Sequence, residues 1–412
     1  MVREIPVYHI QHDFTDCIKD VQEGKLEEDS FYINKDLTLD KIKEYRVNIR
    51  SQDDSEYDAG QGNTFQKVTP DRYRAILDGD LCSFQACSSD YSAETEDTEW
   101  TAVDAIDTPT SQYVLGDSNG NIHLYYELFN PLYKIEEAHF GDITSVKFFP
   151  SGKLILSAST DMRMKIWSLE DRFNPRTFVG HQGPITDTAI IDRGRNVLSS
   201  SKDGKLKLWE CGSGKAVATM FRKENPNDAI NSMSLLVDNS PGREQNNGPL
   251  EFGTLGKRAL AGHSSGVVTM HDIFSKDEQL QLPNEFMCAC NAVAASEGKQ
   301  NSIYAGYQDG TVAEWDLRFP AKSVSSISFN KGTPINTLCA TDRFLYISSE
   351  PDTSIKLDIS GENGSSTSQE PATFLVSNDN KVSQFIQAPR KDSVVSVGNR
   401  GFIAAYKVYY NS

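Results

Sequence analysis

The chain has 412 residues, of which 38% are hydrophobic, and a mean hydropathy of −0.48. Its formal charge at pH 7 is −17, and residues 1–107 hold 25 acidic and 11 basic residues, a net charge of −14. From Ala75 to Tyr133 there is no lysine or arginine. Such a chain repels nucleic acid and anionic membranes and favours a basic protein surface as its partner. General solubility explains the acidity of the N-terminal part almost as well.

The cysteines and the N-terminus indicate the compartment. Seven scattered cysteines are typical of reduced thiols in the cytosol or nucleus. No apolar run approaches the roughly 18 residues of a membrane-spanning helix. The first ten residues lack the pattern of a secretion signal. We therefore expect a cytoplasmic and nuclear protein that binds neither membranes nor nucleic acid.

Residues 1–75 are predicted to form a small, acidic, mostly β N-terminal domain. Alternating apolar and polar residues favour strands at Phe31–Ile33, Tyr45–Ile49 and Tyr73–Leu77. Acidic residues are concentrated between Glu23 and Asp29. The sequence gives no more detail of the shape of this domain.

The chain that follows contains internal repeats. A histidine, an aspartate and a tryptophan recur at an offset of 42 residues, as His139 and His181, Asp161 and Asp203, Trp167 and Trp209. A period of this length is typical of one four-stranded blade of a WD-repeat β-propeller. Weaker copies of the repeat appear when each turn glycine, or its equivalent, is aligned together with the residue five positions later, which is the tryptophan position. The residues at the tryptophan position are then Tyr125, Trp167, Trp209, His271, Trp315, Asp358 and Tyr406.

These copies predict an all-β, seven-bladed WD-repeat β-propeller over residues 76–412, with blades from about residue 97. Only six residues follow Tyr406, too few for the outer strand of the last blade. We therefore expect a segment near residues 81–87, Leu81–Cys87, to supply that strand and to close the ring, which removes open sheet edges. Polar segments at 238–249 and 360–371 are predicted to be loops.

The recurring polar residues have a structural explanation. In such a blade the histidine, a strand serine, the turn aspartate and the tryptophan indole form one buried hydrogen-bonded chain. His139, Ser157 and Asp161 also resemble a hydrolase triad. The set recurs one blade later, however, and an enzyme does not need one nucleophile per repeat. We assign structural roles to these residues and to Asp309 and Trp315 of a later copy, and we expect no enzyme activity.

Two short motifs suggest ligand sites at first sight. Cys288 and Cys290 are one residue apart, and no second cysteine or histidine pair stands at the spacing of a zinc site. Gly60 and Gly62 lack the third glycine and the following helix of a dinucleotide-binding loop. The sequence therefore predicts neither a metal site nor a cofactor.

Beyond the general repeat, residues 190–214 resemble the proteasomal ATPase-associated factor family, and residues 58–65, 221–226 and 373–379 resemble its fungal form. The resemblance spans nearly the whole chain, including the N-terminal segment. It implies a non-catalytic chaperone that binds the C-terminal domain of a proteasomal AAA-type ATPase subunit, at a basic surface, during assembly of the regulatory-particle base. Other base assembly chaperones are further candidate partners, and we expect a monomer.

Binding is expected on one rim of the ring, where the loops before the first strand of each blade meet the turns after the second. The alignment places four candidate partner-binding acids there, of which we expect at least one to cap a turn instead: Asp142, Asp228, Glu350 and Asp379. The alternative function comes from Trp315-Asp-Leu-Arg318, which resembles the box by which some WD proteins dock onto a cullin-type ubiquitin ligase. A substrate receptor would use that box.

Overall fold

The computed structural model describes residues 2–38, 41–50, 55–92, 98–108, 111–128, 130–238, 248–296, 299, 301–329, 332–360 and 372–409. Nearly all of its regular structure is β-strand. Most of the segments predicted as loops at 238–249 and 360–371 lie outside the described residues. In the part of the chain that is described, no helix is long and apolar enough to cross a membrane.

The N-terminal segment combines strands with a helix. Its elements are β1 (Arg3–Glu4), β2 (Tyr8–Ile10), α1 (Phe14–Gln22), β3 (Asp29–Thr38), β4 (Lys41–Ile49), β5 (Glu56–Asp58), β6 (Thr64–Thr69), β7 (Arg72–Leu77), β8 (Asp80–Gln85) and β9 (Ser89–Ser92). The three strands predicted here lie within β3, β4 and β7. The helix was not predicted, although Phe14, Ile18 and Val21 are buried at the spacing of one helix face.

The ring begins with units of four consecutive strands. The first three units are β10 (Trp100–Asp107), β11 (Ser111–Asp117), β12 (Ile122–Tyr126) and β13 (Asn130–Ile135); β14 (Ile143–Phe148), β15 (Leu154–Ser159), β16 (Arg163–Ser168) and β17 (Arg176–Val179); β18 (Ile185–Ile191), β19 (Asn196–Ser201), β20 (Lys205–Glu210) and β21 (Lys215–Phe221). The fourth unit is β22 (Ile230–Val237), β23 (Lys257–His263), β24 (Val268–Asp272) and β25 (Glu278–Leu282).

The remaining strands continue the same order. They are β26 (Cys290–Ala295), β27 (Ser302–Tyr307), β28 (Thr311–Asp316) and β29 (Ser325–Ser328); β30 (Ile335–Ala340), β31 (Phe344–Ser349), β32 (Thr353–Asp358) and β33 (Thr373–Leu375); β34 (Val382–Gln387), β35 (Ser393–Gly398) and β36 (Phe402–Lys407). Every residue that the sequence aligned with tryptophan lies on the third strand of its unit.

The described strands form seven sheets, which we number in the chain order of their first strands, β10, β14, β18, β22, β26, β30 and β34. The first strand of each sheet packs against that of the next, and β34 packs against β10, so the ring of sheets is closed. The first strands line a central channel of about 550 Å³. The fold is therefore an all-β propeller.

The strand that completes the last sheet is not the predicted one. β9 (Ser89–Ser92) pairs antiparallel with β36. The predicted closing segment, Leu81–Cys87, lies mostly in β8, which pairs antiparallel with β7 on one edge and parallel with β33 of the sixth sheet on the other. Both edges of β8 are therefore occupied, and the next strand along the chain is the one left to pair with β36.

The N-terminal segment is built into the ring. Strands β2 to β8 extend the sixth sheet to 11 strands, and β1 pairs parallel with β29 of the fifth. Phe14 and Phe31 belong to the same buried cluster as Ile347 and Phe374 of the sixth sheet. The predicted domain boundary at residue 75 falls inside β7, so it does not separate two units of the fold.

Candidate binding face

The buried polar chain is present in two sheets. In the third sheet the Trp209 indole N–H donates to Ser199 Oγ over 2.9 Å. His181 lies between Ser199 and Asp203, with Nε2 2.7 Å from the hydroxyl and Nδ1 2.9 Å from the carboxylate. The second sheet repeats these distances with Trp167, Ser157, His139 and Asp161.

The donors fix where the protons lie. Because an ionised aspartate can only accept, histidine Nδ1–H donates to it. Nε2 of the neutral ring then accepts the serine hydroxyl hydrogen, and the serine oxygen accepts the indole N–H. Burial lowers the pKa of His139, and the bond to Asp161 only partly offsets this. Burial opposes ionisation of Asp203, but hydrogen bonds from His181 and the Gln182 backbone outweigh it and lower the pKa to about 2. A neutral histidine and an ionised aspartate satisfy the whole chain.

The same geometry supports a structural role rather than hydrolysis. Ser157 and Ser199 are 0% exposed, and each accepts an indole N–H. A nucleophilic serine has to reach the carbonyl carbon of a substrate. These serines instead join a loop, a strand and a turn inside the sheet.

The fourth sheet carries a variant of this chain. His271 stands at the tryptophan position, and its Nε2 lies 3.1 Å from Thr269 Oγ1. The same hydroxyl lies 2.9 Å from His263 Nε2. Burial, with a smaller effect of His263, lowers the pKa of His271 to about 4. Two neutral histidines therefore share one buried threonine.

In the fifth sheet the chain is interrupted. Trp315 is 0% exposed and lies in the core. By the spacing of the third sheet, Ala305 stands at the serine position and Met287 at the histidine position, and neither supplies a hydrogen-bonding hydroxyl or ring nitrogen. The Asp309 carboxylate accepts the backbone N–H of Thr311 over 3.0 Å. Asp309 therefore caps a turn and Trp315 fills the core.

The predicted binding acids lie at one face of the ring. Because neighbouring strands are antiparallel, the loop before a first strand and the turn between second and third strands meet there, and we call it the upper face. Asp142, before β14, is exposed. The Asp379 side chain, before β34, is 64% exposed and lies 3.6 Å from His12 Nδ1. Glu350, after β31, is half-buried and pairs with Lys381 over 2.7 Å.

Asp228 precedes β22 on the same face, but its charge is paired within the chain. It is 6% exposed, and its carboxylate lies 2.6 Å from Arg222 Nη1 and 2.5 Å from Ser265 Oγ. It also accepts the backbone N–H of Ser265. Because the protein itself neutralises this charge, Asp228 fits the turn-capping role expected for at least one of the four acids, and the structure does not favour it as a partner contact.

The N-terminal segment adds two histidines to the upper face, which the sequence analysis did not single out. His9 lies between two carboxylates, with Nε2 3.2 Å from Asp36 and Nδ1 3.6 Å from Asp352 in the turn after β31. His12 lies beside Asp379. Burial raises the pKa of Asp352, and His9 partly offsets this. These pairs join residues far apart in the chain, so no local spacing signals them.

The alternative docking box lies on the opposite face, after β28. The Arg318 side chain is 63% exposed, but its guanidinium group donates to both carboxylate oxygens of Asp316 over 2.6–3.2 Å. A docking arginine has to offer its guanidinium group to a partner. Because Asp316 already pairs with one edge of this group within the same turn, the geometry does not favour a ligase receptor.

The cysteine pair shows no arrangement for a metal. Within the described ranges, no group of three or more histidine, cysteine and acidic side chains is placed to hold one. Cys290 is buried, and burial raises the pKa of its thiol. Burial also raises the pKa of Cys288. Protonated thiols in such surroundings pack as small apolar groups.

Comparison with known proteins places the chain in a family. Residues 129–168 and 174–210 match the WD domain, G-beta repeat family. The chain is 44% identical over 424 residues to the 26S proteasome regulatory subunit RPN14 of Saccharomyces cerevisiae, and the match covers 99% of each chain. The chain belongs to this proteasomal WD-repeat family. The family resemblance seen in the sequence is confirmed, and the ring is a WD-repeat propeller.

Proposed function

We propose that this chain is a non-catalytic assembly chaperone. It binds the C-terminal domain of a proteasomal AAA-type ATPase subunit and holds it during assembly of the regulatory-particle base. The observation that carries the proposal is the full-length similarity to a proteasome regulatory subunit. The buried Ser-His-Asp sets belong to the framework of the ring, which supports a binding role. Loops on a rigid ring are a common arrangement for protein recognition.

The charge of the chain supports a basic surface on the partner. The net charge is −17, and Asp142 and Asp379 are exposed on the upper face. Exposed ion pairs contribute only about 0–1 kcal/mol each. Several pairs therefore act together, mainly by raising the association rate, while apolar contacts supply much of the affinity.

The proposal includes the architecture that presents this face. We infer one blade per sheet, hence a seven-bladed ring, with β2 to β8 as an extension of the sixth blade. The chain acts as a monomer in the cytoplasm and nucleus, and other base assembly chaperones share its complexes. A density map of the purified complex would count the blades directly, and six blades would contradict the inference.

Affinity purification of the tagged chain at native salt tests the function. We expect proteasomal ATPase subunits without the proteolytic core. Capture of a cullin adaptor without any ATPase subunit would instead support a ligase receptor and contradict the proposal.

A charge-reversal pair localises the site. Asp142→Lys with Asp379→Lys should reduce the yield of ATPase subunit, because both carboxylates lie on the upper face. Glu170→Lys with Asp171→Lys is the matched control, since both are exposed in the loop between β16 and β17 on the opposite face and change the net charge equally. Equal losses with both pairs would mean that only total charge matters.

A further inference from the structure

The second and third sheets form an internal comparison. Their polar chains have the same distances at an offset of 42 residues, and in both the turn aspartate accepts the backbone N–H of the residue after the histidine. Positions that differ between the two sheets are therefore free to vary without changing this framework. On the upper face three such positions carry Phe140, Asp142 and Met162 in the second sheet and Gln182, Pro184 and Gly204 in the third.

Phe140 projects into solvent. It is 85% exposed, whereas the framework interaction at this position is made by its backbone N–H, which lies 3.2 Å from the Asp161 carboxylate. The third sheet makes the same interaction with Gln182, over 2.9 Å. The fold therefore does not require an aromatic side chain at residue 140.

Met162 is also apolar where the fold favours a smaller residue. It is 43% exposed and has φ +68°, a left-handed conformation that disfavours residues with a side chain. Five of the six other sheets have glycine at the same turn position, with φ between +70° and +88°: Gly120, Gly204, Gly266, Gly310 and Gly401. The second sheet thus keeps a strained, exposed methionine that the turn does not need.

The segments that carry Phe140 and Met162 adjoin each other, and the first of them also carries the exposed Asp142. The backbone N–H of Thr160 donates to the Asp142 carbonyl over 3.0 Å, and the backbone N–H of Phe140 donates to Asp161. The loop from Phe140 to Asp142 therefore lies on the turn that carries Met162. An aromatic ring, a flexible thioether and a carboxylate thus extend from two adjoining segments of the upper face, and we call these three residues the Phe140 patch (Phe140, Asp142 and Met162).

We propose that the Phe140 patch is the apolar anchor of the partner interface on the upper face. Its occupant is a segment of the ATPase C-terminal domain that presents an aliphatic or aromatic side chain next to a lysine or arginine. The apolar side chain packs on Phe140 and Met162, and the cation pairs with Asp142. Charge complementarity to a chain of net charge −17 selects this occupant. The proposal rests on the proposed function and names the contacts that give it affinity.

The test replaces the two apolar residues of the patch with the residues that the third sheet has at the same positions. Phe140→Gln with Met162→Gly should leave the melting temperature unchanged or higher, because both are exposed and the second change relieves backbone strain. Titration calorimetry against the ATPase C-terminal domain bound by the wild type should show at least tenfold weaker binding. Phe173→Gln is the matched control, since Phe173 is 63% exposed in the loop between β16 and β17 on the opposite face, and it should bind as the wild type does.

The outcomes separate the two proposals. If the wild type binds no ATPase domain, the proposed function fails. If the wild type binds and the double variant binds equally well, only the anchor is overturned. If the wild type dimerises in analytical ultracentrifugation while the double variant is monomeric, the patch binds a second copy of this chain, and the ATPase domain is not its occupant.

Discussion

Acidification should destabilise the propeller through His271, and the structure gives the size of the effect. This residue is 1% exposed, and its pKa falls from an ordinary 6.5 to about 4. Because the folded-state pKa is depressed, the unfolded chain binds a proton first as the pH falls below 6.5. The stability present above that pH is therefore lost progressively down to about pH 4. A fall of the pKa from 6.5 to about 4 corresponds to about 3 kcal/mol of the free energy of unfolding in total, of which about 2 kcal/mol is lost by pH 5.

His271→Phe isolates this contribution, because phenylalanine fills the site and does not titrate. We would measure the free energy of unfolding in urea at pH 7.5 and pH 5 for both proteins. The wild type should lose about 2 kcal/mol more than the variant between the two values. His139, which is also buried with a lowered pKa, lies in the second sheet and affects both proteins alike. Equal losses in the two proteins would refute the assignment of a buried neutral His271.

Three further predictions follow from the core and from the charge. Trp209→Ala should lower the free energy of unfolding by about 3–5 kcal/mol because it opens a cavity, and Asp203→Ala should lower it by about 1–3 kcal/mol because buried donors lose their acceptor. Full stability of either variant in urea would contradict the framework role. Phe14→Ala should lower the free energy of unfolding by about 3–5 kcal/mol and keep a single unfolding transition. The ring of Phe14 lies 4.9 Å from that of Tyr73, between centroids, in a core shared with the sixth sheet. A separate early transition in calorimetry would show an independent N-terminal domain. Raising the salt concentration from about 50 to 500 mM shortens the Debye length from roughly 14 to 4 Å. The rate of association with the ATPase domain, measured by stopped flow, should therefore fall several-fold while the dissociation rate changes little. An association rate that does not depend on salt would mean that the acidity serves solubility.

The polar chain could be predicted from the sequence because its spacing is local. His181, Ser199, Asp203 and Trp209 lie within one repeat, and the offset of 42 residues repeats them. In the fifth sheet Ala305 interrupts the chain, while Asp309 caps a turn and Trp315 packs in the core. The sequence does not predict helix α1, because a helix of nine residues with three buried positions is too short for its period to stand out among neighbouring strands.

Other differences between the prediction and the structure come from contacts that no short pattern shows. Asp228 is neutralised by Arg222 and by Ser265, and the latter lies 37 residues further along the chain. The closing strand was misplaced because Leu81–Cys87 and Ser89–Ser92 are both available, and only the long-range pairing of β8 with β33 decides between them. Exposed apolar residues such as Phe140 cannot be told from core residues until the burial of each side chain is known.

Titration of the purified chain with the isolated C-terminal domain of each proteasomal ATPase subunit, at about 150 mM salt, shows whether this propeller binds an ATPase. We predict that at least one of these domains binds with one-to-one stoichiometry. That binding should weaken at least tenfold in the Phe140→Gln, Met162→Gly variant and remain unchanged in Phe173→Gln. Failure of every ATPase domain to bind the wild-type chain would contradict the claim that this propeller is an ATPase-binding chaperone.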